Sequence, residues 1–89
     1  MYATVTEVEI WSRAIQPETG DLPPVAAREL LRLRLADDDR QRVRELSAKA
    51  NAGTLGGEEA QELDSYLNVG RALEFLEAKA RLSLSKAAA

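Results

Sequence analysis

The stretch GEEAQELDSYLNVGRALEFLEAKARLSLS, Gly57 to Ser85, decides the fold, because it reads as one amphipathic helix carrying two apolar stripes where a small monomer needs one. The first stripe, Tyr66, Val69, Leu73, Leu76 and Ala80, alternates steps of three and four residues and so stays on one side of a helix. The second, Phe75, Ala78 and Leu82, falls at i, i+3 and i+7 on roughly the opposite side. One stripe can be buried within the chain; the other must stay wet or meet a partner. Phe75, Ala78 and Leu82 are therefore candidate partner-binding residues, flanked by Arg71 and Lys79, whose charges can set the register of an interface.

Working outward, Asn51-Ala52-Gly53 ends one helix, and Thr54-Leu55-Gly56-Gly57 forms the hinge into the long one. Gly56 occupies the N-cap position with Glu59 three residues on, which is half a capping box without its hydroxyl. Upstream, Asp37-Asp38-Asp39 suits the first turn of a third helix, where acids complement the positive end of the dipole, and Val43, Leu46 and Ala50 give that helix a narrow stripe. A second helix opens at Pro24 and is expected to reach about Leu35. Its apolar residues Ala26, Leu30, Leu31, Leu33 and Leu35 cover more than half its circumference, which predicts that it is the central, most buried helix. Thr4 to Ile15 is ambiguous: its β-branched residues argue for a strand, whereas Val5, Val8, Trp11 and Ile15 share one helical face. Helix is the expectation, since a strand here would need a second copy of the chain to pair with.

Composition agrees with an all-α fold of about four helices. The chain has 89 residues, 45% of them hydrophobic and 30% charged, with few aromatics. Ala, Leu, Arg and Glu, the strong helix formers, dominate. A chain of this length is expected to form a single helical domain over residues 1–89, with residues 1–3 and 86–89 as flexible ends, and a core too small to enclose a deep pocket. The first eleven residues carry Glu7 and Glu9, no basic leader and no long apolar run. Neither a signal peptide nor a membrane span is expected, and the location expected is cytoplasmic.

There are no cysteines and no histidines. That removes disulfides, thiolate metal sites and imidazole acid/base chemistry, leaving carboxylates, hydroxyls and arginines. Asp37-Asp38-Asp39 is not a calcium loop, because an EF-hand wants Gly at its sixth position and Glu at its twelfth, where this chain has Arg42 and Ala48. Glu58, Glu59, Glu62 and Asp64 include an i, i+4 pair, but with no histidine among them they read as a solvated acidic face. Tyr66 and Ser12 are lone hydroxyls with no candidate base. No cofactor, no metal and no catalysis are expected.

The net charge of −3 is unevenly distributed, with four acidic and no basic groups in residues 53–70. Arg28, Arg32, Arg34, Arg40, Arg42 and Arg44 come closest to a phosphate-binding stripe, but Glu29, Asp37, Asp38, Asp39 and Glu45 are interleaved with them. Nucleic acid is thus expected to be met only through a complex. The alternative is a DNA-binding autoregulatory dimer in which Thr4 to Ile10 pairs as a strand, in the manner of ribbon-helix-helix regulators.

From Leu46 to Leu82 the chain resembles a group of small bacterial helical proteins of mostly unassigned function. They share the pattern A-x-x-G-T-L-T-x-E-E-x-x-E-L-x-x-Y-x-x-V-G-x-x-L-x-x-L-x-x-K-A-R. The resemblance extends to Gly20-Asp21-Leu22 and the following Pro24-Val25-Ala26-Ala27, and departs from the pattern at Gly56-Gly57. Such proteins are often encoded beside a small nuclease, commonly of the HNH type. The resemblance therefore implies an antitoxin-like or regulatory partner of a nuclease. Phe75 and Leu82 would then anchor the long helix in a groove of the partner, or in a homodimer, while Glu58, Glu59 and Glu62 lie opposite cationic residues of the nuclease.

Overall fold

The computed structural model describes residues 4–88. They form four helices, α1 (Glu7–Ile15), α2 (Pro24–Leu30), α3 (Asp37–Ala52) and α4 (Gly57–Ala88), with no strand among the described residues. The all-α expectation holds, and the strand alternative for Thr4 to Ile10 does not. Thr6 is extended and its Oγ1 accepts from the Glu9 amide at 3.2 Å, so the hydroxyl among the β-branched residues starts α1 as an N-cap. α4 runs past Ser85, and residues 86–88, expected in a flexible end, continue it. The flexible ends expected at residues 1–3 and 89 lie outside the described residues.

Two compact units divide the chain, one from residues 1–33 with 71–89 and the other from residues 34–70. The first contains α1, α2 and the C-terminal part of α4. Its buried positions are all small: Ala27, Ala72, Ala80 and Ser83. The large apolar side chains of this unit, such as Ile15, Leu73, Leu76 and Leu84, are half-buried around them. Backbones approach closely at Gly20, where an added Cβ would lie 2.7 Å from Leu82 Cγ and 2.9 Å from both the Leu82 carbonyl carbon and the Ser83 nitrogen.

The central, most buried role expected of α2 is therefore corrected. Only Ala27 of this helix is buried, Leu30 and Leu31 are half-buried, and Val25 and Leu33 are exposed. α2 also stops at Leu30 instead of Leu35. The Arg32 and Leu33 amides donate to the Glu29 and Leu30 carbonyls, each at 3.1 Å, so the chain tightens to three-residue closures and leaves the α-helix.

The second unit is a helical hairpin of α3 and residues 57–70 of α4. Its contacts fix an antiparallel register: Tyr66 meets Asp39, and Glu62 meets Arg42. Leu46 is its fully buried large side chain. Asp37, Asp38 and Asp39 fill the first turn of α3 as expected. Gly53 closes the helix in the left-handed region at φ 72°, with the Thr54 amide reaching back to the Lys49 carbonyl at 2.9 Å. At the start of α4 the Gly56 amide donates to Glu59 Oε1 at 3.2 Å, which is the half capping box read from the sequence.

Candidate interaction surfaces

The residues expected to bind a partner fall into both units. In the first, Lys79 is not a flank of an open face. Its ammonium donates to the carbonyl of Ile15 at 2.8 Å, to Thr19 Oγ1 at 3.1 Å and to the carbonyl of Gln16 at 3.4 Å, and pairs with Asp21 at 3.0 Å. These groups are the last carbonyls of α1 and the loop that follows. A cation at a helix C-terminus satisfies carbonyls that have no partner within the helix and complements the negative end of the dipole. The same loop holds Gln16 at φ 55°, unusual for a residue with a side chain. Its amide donates to Ser12 at 2.9 Å, and its carbonyl accepts from the Thr19 amide at 3.0 Å, so the strained conformation is bonded on both sides.

One turn on, Ser83 Oγ donates to the Lys79 carbonyl at 2.7 Å and accepts from the Leu22 amide at 3.1 Å. Lys79, Ser83 and the close contact of Gly20 with Leu82 together strap residues 15–22 onto α4. Leu82, expected as a partner anchor, is half-buried by this strap, and Phe75 is half-buried as well. Ala78 and Arg71 remain exposed. The Lys79 ammonium holds the Asp21 carboxyl below the usual carboxylate range.

In the hairpin, Glu58 is exposed, but Glu59 and Glu62 are not part of a freely solvated face. Arg42 Nε and Nη2 donate to the two Glu62 oxygens, each at 2.9 Å, in a bidentate pair. Arg42 also reaches Glu45 at 3.3 Å and Glu59 at 3.7 Å, while Lys49 pairs with Glu59. Glu59 is held below its ordinary pKa by Lys49 first and by the Gly56 amide second; Glu62 is lowered by Arg42. Tyr66 moves the other way. Its hydroxyl donates to Asp39 Oδ1 at 2.7 Å, so ionising it would place two anions together, and its pKa is raised. The lone hydroxyl of the sequence is thus a link between helices.

The run of arginines is also partly neutralised within the chain, since Arg32 pairs with Glu29 and Arg40 with Asp37, beside the Arg42 network. The Arg40 pair lowers the Asp37 carboxyl.

Family models, curated proteins and solved structures give no match to this chain.

What the sequence did not single out is an apolar pair on α1. Val8 and Ile15 are half-buried, but Ile10 is 53% exposed and Trp11 40% exposed. Trp11 shares a helical face with Val8 and Ile15 but is exposed, and its indole N–H donates to Glu7 Oε2 at 3.2 Å. The signal available was Ile10, which lies off the Val5, Val8, Trp11, Ile15 stripe and had no assigned burial. No helix among the described residues is long and apolar enough to cross a membrane.

Proposed function

We propose that this chain is a helical protein-binding module that presents α1 to its partner. The observation that carries the reading is the exposure of Ile10 and Trp11, two neighbouring large apolar side chains on a helix whose Val8 and Ile15 are half-buried and whose C-terminal carbonyls are already engaged. Large aromatic side chains on a rigid element are the usual energetic centres of interfaces, because they bring much apolar area at little loss of side-chain freedom. The strap from Lys79 and Ser83 keeps that element in place before binding, which lowers the ordering cost of association.

The resemblance to proteins encoded beside nucleases supports a nuclease as the partner, and inhibition by occlusion as the mode. Ala78 and Arg71, in the same unit as α1, remain exposed. The test is co-expression with the nuclease encoded next to the gene, reading survival and complex formation. Protection is expected from the native chain and not from an Ile10→Asp/Trp11→Ala variant that keeps its helicity. Full protection by that variant overturns the assignment of α1, and absence of any complex with the nuclease overturns the antitoxin reading.

A further inference from the structure

The α3–α4 hairpin has one closed rim and one open rim. With Asp39, Arg42 and Leu46 facing Glu59, Glu62 and Tyr66, the helical repeat sets Arg42, Glu45 and Lys49 along the same rim as Glu59 and Glu62, where the ion pairs lie. The same repeat sets Val43 along the opposite rim with Leu63 and Leu67. Val43 and Leu63 are half-buried and Leu67 is 54% exposed, so this rim is apolar and uncovered. Outside it stand Arg40 and Arg44 on α3 and Asp64 on α4, all exposed. Among the described residues neither Arg44 nor Asp64 forms an ion pair, and Arg40 pairs only with its neighbour on the first turn, Asp37.

We infer that the open rim is covered by the same rim of a second copy of this chain, giving a four-helix arrangement. The charge pattern selects the copy and its orientation. A two-fold axis parallel to the helices lays α3 of one copy antiparallel on α4 of the other and preserves height along the axis. The hairpin's own register, Asp39 level with Tyr66 and Arg42 level with Glu62, then applies across the interface. In that register Asp64 of one copy stands level with the segment between Arg40 and Arg44 of the other, and symmetry repeats the match. The other two-fold, perpendicular to the helices, stacks α3 on α3, and with its axis at the height of Arg40 and Arg44 it sets these arginines against themselves. Attraction in one arrangement and repulsion in the other is how charges fix register and orientation between helices. This inference concerns residues 40–67 and does not rest on the partner-binding role of α1.

Sedimentation equilibrium on the full chain, up to about 1 mM because an interface this small is of the weak class, tests it. A species of twice 9.8 kDa is expected. Leu67→Asp, at an exposed position, is expected to keep its helicity and raise the dimer dissociation constant by about tenfold or more. Arg44→Asp and Asp64→Arg are each expected to weaken association by about fivefold, and the double variant Arg44→Asp/Asp64→Arg to regain it, because each new charge then meets its opposite on the second copy. A native chain that stays monomeric over the whole range overturns the inference. So does a dimer indifferent to Leu67→Asp, and a double variant no tighter than the single ones overturns the α3-on-α4 orientation.

Discussion

Replacing Gly20 by alanine isolates the close approach that organises the first unit. The backbone at Gly20 is not in the left-handed region, so alanine is acceptable there as a conformation, and the whole effect is one of space. Its methyl carbon would sit 2.7 Å from Leu82 Cγ and 2.9 Å from two backbone atoms of α4. Carbon atoms rest at about 3.5–4.0 Å, so the loop must retreat by nearly 1 Å from a helix backbone that cannot yield. Overpacking of this kind costs about 1–3 kcal/mol. The same retreat stretches the 3.1 Å bond from the Leu22 amide to Ser83. A lost hydrogen bond adds about 1 kcal/mol, for a total of about 2–4 kcal/mol. Trp11 is the single tryptophan and lies in the same unit, so its fluorescence during urea unfolding reports the loss directly. At a slope of about 1–1.5 kcal/mol per molar urea the midpoint is expected to fall by about 2 M. Gly70→Ala is the control: nothing lies within 4 Å of the added carbon, and in a helix interior alanine should stabilise by about 0.5–1 kcal/mol. A Gly20→Ala midpoint within error of the native one would refute the close approach.

Leu46→Ala should destabilise the hairpin by about 2–5 kcal/mol, as for a fully buried leucine, and calorimetry or circular dichroism will show it as a lower unfolding temperature. Ser83→Ala leaves the Leu22 amide without its acceptor at a position 2% exposed, for a loss of about 1–3 kcal/mol measurable by urea denaturation. Glu59 and Glu62 have folded pKa values below their ordinary 4.5, so their contribution is present above that pH and lost as pH falls through the lowered values. The hairpin should therefore weaken in acid below about pH 4.5, and Arg42→Met should flatten that part of the stability profile. Tyr66 has a raised pKa, so its link to Asp39 is fully present below its ordinary 10.0 and lost as pH rises through the folded value. In a Tyr2→Phe background the phenolate absorbance should titrate above 10.0, and Asp39→Asn should bring it back down.

Helix type and the polar punctuation of the chain were legible because they depend on near neighbours. Pro24 at a helix start, three aspartates in a first turn and Gly53 at a helix end each act within four residues, whereas the Thr6 cap was hidden among β-branched residues that also suit a strand. The centre of the core was not legible, because hydrophobic area is a poor guide to close approach: Leu30, Leu31 and Leu33 carry more area than Ala72, Ala80 and Ser83, yet the small residues are the buried ones. Glu59 and Glu62 read as solvated for a related reason. Their cations, Lys49 and Arg42, lie on another helix, and local charge spacing contains no record of that pairing. The spacing sets Lys79 beside Phe75, Ala78 and Leu82 as a flank of their face, and only the carbonyls left open at the end of α1 explain why this lysine is 12% exposed.

The strap around Lys79 also orders events in time. Its bonds join residues 58 to 64 positions apart, whereas those of the hairpin span 10 to 27. Closing the shorter loops loses less chain entropy and is faster, so the hairpin is set to form early. During synthesis at roughly 5–20 residues per second, α1 and α2 leave the ribosome seconds before the part of α4 that receives them. For that interval Ile10, Trp11 and Val25 belong to a segment with no docking site. The N-terminal third of the protein is thus made first and set to fold last, and a chain released after Gly70 should carry the hairpin behind an unassembled, chaperone-accessible N-terminal segment.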